Sequence, residues 1–180
     1  MAEIFFIVKC FYLMLPAYFT NMAPVMVKRI NLFVIPLDFN KKINKKPIFG
    51  KNKTFRGFIF GISFGMAVAY FQFLLYKIPL FKSLSFFDYQ YWLLFGFLMG
   101  LGALSGDLIK SFFKRRLGIN SGAKFIPFDQ TDFVIGALLF IMPVFDLTLK
   151  IFLVSLLLSF VLHIAVNHIS FYLKIRNEKW

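Results

Sequence analysis

The sequence predicts an all-α, polytopic membrane protein with five transmembrane helices, its N-terminus outside and its C-terminus in the cytoplasm. Two observations carry the fold class and a third carries the orientation. Apolar residues make up 59% of the 180 positions, against about 45–50% in soluble chains, and Phe alone fills 28 of them. They fall in five runs nearly free of charge, each close to the ~20 residues that cross a hydrocarbon core as a helix. The 21 Lys and Arg gather instead in alternate loops. One integral-membrane domain over residues 1–180 accounts for the whole chain.

The first span covers residues 3–27. Its start, Met1-Ala2-Glu3, lacks the basic stretch that opens a cleaved signal peptide, so it reads as a retained helix. Lys9 lies near enough to the end to snorkel, and Pro16 and Pro24 predict a kink and a stop. A loop of about residues 28–56 follows, with nine basic residues from Lys28 to Arg56 facing one acid, Asp38. A loop of that length without structure is either functional or disordered. The second helix is expected over about Gly57–Tyr76. Gly57, Gly61 and Gly65 recur every fourth residue and would form a face for close helix approach in lipid.

Residues 77–90 form a short loop leading to an aromatic belt at Tyr89, Tyr91 and Trp92. The third helix is expected over about Tyr91–Ile109, with Gly96, Gly100, Gly102, Ala103, Ser105 and Gly106 along it and Asp107 near its end. A second functional loop, about residues 110–128, leads to a fourth helix from Asp129 to about Phe145. The fifth runs from about Thr148 to Leu173, and the tail Lys174–Trp180 is polar and basic. The glycine faces can pack within the chain or build a homo-oligomer.

Five spans put the termini on opposite sides, which makes the charge bias a test. The two functional loops and the tail hold seventeen Lys and Arg, and the other side holds four. The positive-inside rule therefore places both loops and the C-terminus in the cytoplasm, in a multi-pass protein of the cell membrane. The formal charge of +13 also suits anionic lipid headgroups. With no soluble module left over, it is not read as nucleic-acid binding. Cys10 is the single cysteine, which excludes disulfides and thiolate metal sites.

The chemistry is concentrated between Ser105 and Gly136. Asp107, Asp129 and Asp132 are three of the chain's eight acidic residues, interleaved with Lys110, Lys114, Arg115, Arg116 and Lys124. Asp129 and Asp132 share a helix face, and the pattern after Pro127 also fits an N-cap with a first-turn carboxylate. If the third and fourth helices are antiparallel neighbours, Asp107 comes toward that pair. Two carboxylates 4 Å apart repel by about 4 kcal/mol at an effective dielectric of 20, whereas a cap returns about 1 kcal/mol. A hard divalent cation, Mg²⁺ or Mn²⁺, would turn the repulsion into binding, and capping is compatible with it.

Lys114, Arg115 and Arg116 stand where phosphate contacts are needed, although a positive-inside cluster would look the same. His163 and Asn167 share a face inside the fifth span, as interhelical hydrogen-bonding groups or as substrate contacts. Gly50-Lys51-Asn52-Lys53-Thr54 lacks the spacing and the preceding strand of a P-loop.

These motifs resemble those of the CDP-archaeol synthases, within the wider CTP-dependent phosphatidate cytidylyltransferase superfamily. The superfamily's signature begins Ser-x-x-Lys-Arg and ends Asp-Arg-x-Asp; here these are Ser111-Phe112-Phe113-Lys114-Arg115 and Asp129-Gln130-Thr131-Asp132, preceded by Gly106-Asp107-Leu108. Gln130 in place of Arg, Asn120-Ser121 in place of Lys-Asp, and the lack of a His-Gly-Gly depart from the phosphatidate branch. The archaeal-type branch looks like the run Lys110–Phe133. It is also similar at Leu15-Pro16-Ala17-Tyr18, Asn21-x-x-Pro24, Pro36-Leu37-Asp38, Lys53-Thr54-Phe55-Arg56-Gly57 and His163-x-x-x-Asn167 with a terminal Trp180.

The resemblance implies a membrane enzyme that moves a cytidylyl group from CTP onto a lipid phosphate of the 2,3-bis-O-geranylgeranyl-sn-glycerol 1-phosphate type, releasing pyrophosphate. It implies that Asp107, Asp129 and Asp132 hold Mg²⁺ and that Lys114 and Arg115 take part in catalysis. Lys110, Ser111 and Arg116 would contact phosphates, as would Lys53, Thr54 and Arg56 from a loop covering the site. Asp38, His163 and Asn167 are candidate substrate contacts. A phosphatidate cytidylyltransferase making CDP-diacylglycerol is the alternative. A CDP-alcohol phosphotransferase is disfavoured because its Asp-Gly-x-x-Ala-Arg string does not occur. A non-enzymatic transporter or scaffold would tolerate Asp→Asn at the three positions.

Overall fold

In a computed structural model of the chain, residues 1–121 and 123–172 are described. The expected end of the fifth span at Leu173, the basic tail and Trp180 lie outside them. Among the described residues, five helices are long and apolar enough to cross a membrane. They are α1 (Ala2–Met26), α2 (Phe55–Leu75), α4 (Trp92–Arg116), α5 (Phe128–Phe145) and α6 (Leu149–Tyr172), with a short α3 (Pro79–Leu84) between α2 and α4. The protein is thus a mostly helical, multi-pass membrane protein. The connection expected to be a plain loop over 77–90 instead holds α3 and a 3₁₀ turn at Tyr89–Tyr91.

Helix α4 is the hub, packed against α5 on one side and α2 on the other, and α2 also packs on α1. The reason lies in its small residues. A Cβ added at Gly96 would lie 2.7 Å from the Met66 Cα, and one at Gly100 would lie 3.0 Å from the Ile62 Cα. On the opposite face Gly102 and Gly106 meet Gly136 of α5 backbone to backbone. The two glycine faces anticipated from the sequence are therefore used within the chain. Lipid tails are as apolar as Leu, so such close van der Waals contact replaces the hydrophobic force between helices. Polar pins add register: Thr20 of α1 donates to the Gly61 carbonyl at 3.0 Å, and Gln72 of α2 donates to the Tyr12 carbonyl at 2.6 Å. At the far end from the charged loops, Phe87, Tyr89, Phe95 and Phe145 form an aromatic cluster with ring centroids 4.6–5.6 Å apart.

The structure corrects one boundary that matters for function. Helix α4 does not stop near Ile109; it continues to Arg116, so Lys110, Ser111, Lys114, Arg115 and Arg116 are helical. The stop is Gly118, in the left-handed region (φ +79°), with its N–H and that of Ile119 donating to the Arg115 and Lys114 carbonyls. This is a Schellman cap. Three basic residues in the last turn also suit the negative end of the helix dipole. The second functional connection is correspondingly shorter, residues 117–127.

The long basic loop is ordered around three fasteners. A two-stranded hairpin, β1 (Lys42–Ile43) with β2 (Lys46–Pro47), rests on the end of α4. Arg116 donates to the carbonyls of Ile43, Lys46 and Pro47, and Lys46 donates back to the Arg116 carbonyl. Arg56 pins the loop's start by donating to the carbonyls of Lys28 and Ile30. Buried Asp38 accepts from the backbone amides of Asn40, Phe49 and Gly50, each at 3.0 Å. Burial opposes ionisation of Asp38, yet these amides outweigh it and hold its pKa below the ordinary carboxylate value.

Candidate active site

Both basic loops lie at the same end of the bundle and touch each other, with Asn52 donating to Ser121 Oγ at 3.2 Å. Between them opens a cavity of about 780 Å³. Every long element but α2 contributes to its wall: Val25 from α1, Lys53 from the first loop, Lys110 and Arg115 from α4, Asp129 from α5, and His163 and Asn167 from α6. Among the described residues, five basic side chains line it (Lys53, Lys110, Lys114, Arg115 and Lys124) against one carboxylate, Asp129. An excess of fixed cations in a half-enclosed cavity is a device for holding a polyanion.

Beneath this wall the three expected carboxylates converge. Helices α4 and α5 are antiparallel and in contact, so the end of one meets the start of the other. Asp107 and Asp132 are brought together by the glycine contact one turn deeper. All three carboxylates lie within 3.2 Å of one atom, the Lys110 Nζ: Asp132 Oδ2 at 2.8 Å, Asp129 Oδ1 at 3.1 Å and Asp107 Oδ1 at 3.2 Å. Lys53 also pairs with Asp107, which ties the first loop to α4. Lys114 pairs with Asp129 at 3.1 Å and donates to the Ala123 carbonyl, which ties α4 to the second loop. A charge buried here is affordable only because each is paired.

Asp129 is not the cap anticipated from the sequence. Pro127 takes the cap position, and Asp129 sits in the first turn with Oδ2 accepting from the Phe125 N–H at 2.6 Å. Its other contacts are to lysines, so capping does not account for it.

The other expected residues divide into two groups. Lys53, Lys110, Ser111, Lys114, Arg115, His163 and Asn167 reach the cavity. Asp38, Arg56 and Arg116 are fasteners of the loop, as described above. Thr54 caps α2 by accepting from the Gly57 N–H at 3.2 Å, beside a small recess that also holds Asp107. Several lining residues were not among the candidates, the polar Asn52, Ser121 and Gln130 among them. Asn52 and Gln130 lie in the wall, and Gln130 is buried with its Oε1 lacking a hydrogen-bond partner among the described residues. Gln130 was legible only as a departure from a motif, although its place beside Asp129 in the first turn of α5 was signal enough. Arg115 is likewise buried, with Nε lacking a partner among the described residues.

The donor set can be tested against a divalent cation. Oxygen-only carboxylate ligands suit a hard ion, and three of them already gather about a single cationic atom. Among the described residues, however, no group of three or more His, Cys, Asp or Glu surrounds a shared metal position. The residues fit a hard cation on one condition: Lys110 must give up its place.

Fold and site together define a polytopic membrane protein with a cationic, carboxylate-floored cavity at one end of its bundle. Comparison with known proteins narrows the class. The family model described as CarS-like: CDP-archaeol synthase matches residues 2–180. A CDP-archaeol synthase of Pyrococcus furiosus is 36% identical over 97% of this chain and 98% of its own. That of Sulfurisphaera tokodaii is 34% identical over the full length of both. A solved structure described as an intramembrane enzyme for archaeal membrane lipids biosynthesis superposes with a TM-score of 0.71, at 29% identity, covering 87% of this chain and 90% of that one. The chain belongs to the CDP-archaeol synthase family, and it is a cytidylyltransferase.

Proposed function

We propose that the protein transfers the cytidylyl group of CTP to a membrane lipid phosphate of the 2,3-bis-O-geranylgeranyl-sn-glycerol 1-phosphate type, giving CDP-archaeol and pyrophosphate in phospholipid biosynthesis. Family membership sets the reaction. The observation that carries it on this chain is the cavity with five basic residues over three gathered carboxylates.

In the reaction an oxygen of the lipid phosphate attacks the α-phosphorus of CTP. A new phosphoanhydride bond forms, the bond between α- and β-phosphates breaks, and its electron pair leaves with pyrophosphate. The nucleophile is already ionised, so no Ser, Cys or His nucleophile is required. What the protein supplies is positioning and charge neutralisation, the main terms in phosphoryl-group chemistry. Lys114 and Arg115, held on α4 at the cavity wall, neutralise the phosphates. Lys53 and Asn52 bring the first loop over the nucleotide, and the fasteners at Asp38, Arg56 and Arg116 keep that loop in place. Asp107, Asp129 and Asp132 would hold Mg²⁺, which would supply further neutralisation of the triphosphate.

The lipid reaches the same cavity from the bilayer side, where His163 and Asn167 of α6 and Val25 of α1 extend the wall into the spans. The cavity faces the cytoplasm, in keeping with the charge bias of the loops and with the compartment that holds CTP.

Acceptor preference tests the lipid assignment. Purified enzyme is expected to release pyrophosphate from CTP only with Mg²⁺ and a lipid phosphate, and faster with the diether isoprenoid phosphate than with phosphatidate. Faster turnover on phosphatidate would assign it to CDP-diacylglycerol synthesis instead. No turnover with either acceptor would contradict the reaction.

A further inference from the structure

Lys110 stands in an unusual place for a lysine in a nucleotide site. Its ammonium contacts a carboxylate oxygen of all three aspartates, at 2.8, 3.1 and 3.2 Å. It comes from α4, one turn beyond Asp107, and its side chain is largely buried. Yet Lys110 also borders the cavity, next to Lys114 and Arg115. An ammonium on a flexible four-carbon stem can turn from one set of anions to another without any change in backbone.

We propose that Lys110 is a built-in occupant of the cation position. It holds Asp107, Asp129 and Asp132 together while the site is without nucleotide, and it yields them to the divalent ion when metal and nucleotide arrive. This rests on the reading above, that the three carboxylates bind a hard cation. Lys53 and Lys114 each pair with one of these carboxylates, but Lys110 is the cation that bridges all three, and without it their mutual repulsion would push the ends of α4 and α5 apart. With Lys110 in place the helix ends stay closed, but a divalent ion cannot take the same oxygens. Displacing Lys110 requires new anions for its charge, and the triphosphate in the adjoining cavity provides them. Metal and CTP therefore bind with positive coupling, which is reciprocal by linkage. Lys110 is thus a positioning residue whose effect shows in metal affinity before any chemistry.

The test is Mn²⁺ binding to the full-length protein in detergent, followed by electron paramagnetic resonance without nucleotide. Lys110→Met is expected to bind Mn²⁺ about tenfold or more tightly than wild type, because a positive charge a few ångströms from the ion is gone. Adding CTP should tighten Mn²⁺ binding in wild type by a larger factor than in Lys110→Met. Lys110→Arg, which keeps the charge, should bind as weakly as wild type without nucleotide. If Lys110→Met does not fold without a cation, the charge-balanced pair Lys110→Met with Asp132→Asn replaces it, and should bind Mn²⁺ more tightly than Asp132→Asn alone.

Equal or weaker Mn²⁺ binding on loss of Lys110, with Asp129→Asn still reducing that binding, would make Lys110 a fixed salt bridge and overturn the inference while leaving the metal reading intact. No Mn²⁺ binding to any of these proteins, with or without CTP, would overturn both.

Discussion

Asp132→Asn is expected to lower turnover by about 10²–10³-fold in a protein that still folds, a loss typical of removing one preorganised electrostatic group from a reacting centre. The substitution keeps the shape of the side chain and deletes one charge. Lys110 retains Asp107 and Asp129 at 3.2 and 3.1 Å, so the ends of α4 and α5 keep a shared counter-ion and remain closed. What is lost is an anionic ligand in the carboxylate trio. The loss is therefore expected in pyrophosphate release at saturating lipid, with a melting midpoint in detergent close to that of wild type. Turnover within about threefold of wild type would mean that Asp132 serves the fold and not the reaction.

Gly136→Val is expected to act the other way round, on the fold first. A Cβ at Gly136 would lie 2.9 Å from the Gly106 N and 3.0 Å from its Cα, and closer still to the Gly102 carbonyl oxygen. All of these are backbone atoms, which cannot rotate aside. Overpacking of this kind costs about 1–3 kcal/mol or more; at about 2–4 °C per kcal/mol for a chain of this size, the melting midpoint should fall by several degrees. The helices that separate are those carrying Asp107 and Asp132, so activity falls with stability. An unchanged midpoint would show that α4 and α5 are not in backbone contact.

The fold was legible because its signal is repeated five times in plain composition: a charge-free run is long enough to cross the bilayer or it is not. The glycine spacing was legible for the same reason, although partners were not. Nothing in the sequence pairs Gly65 with Gly96, or Gly136 with Gly102 and Gly106, since that depends on how helices are arranged around α4. The end of α4 was misplaced because the reading stopped where charge began. Helix ends are set by capping, and Gly118 was the stronger sign. Lys110 through Arg116 are mostly good helix formers and run on past the apolar stretch.

That seven-residue extension changes the site. In a loop, Lys110 and Lys114 would be neighbours of uncertain direction; on a helix they fall on the Asp107 face and point at α5. Asp38, Arg56 and Arg116 belonged to motifs with charged residues near phosphates, and sequence could not separate a phosphate contact from a loop fastener. Their partners are backbone carbonyls and amides, which leave no trace in side-chain patterns. Asn52 and Gln130 were missed for a related reason, being uncharged in a region read through its charges.

The most direct test of the central claim follows the phosphorus of CTP. Wild-type enzyme with Mg²⁺ and the diether lipid phosphate is given CTP labelled either at the α- or at the γ-phosphate, and the label is then partitioned between solvent-extractable lipid and water. Attack at the α-phosphorus predicts α-label in the lipid and γ-label in aqueous pyrophosphate. Label from the γ-phosphate in the lipid, or neither label there, would contradict it.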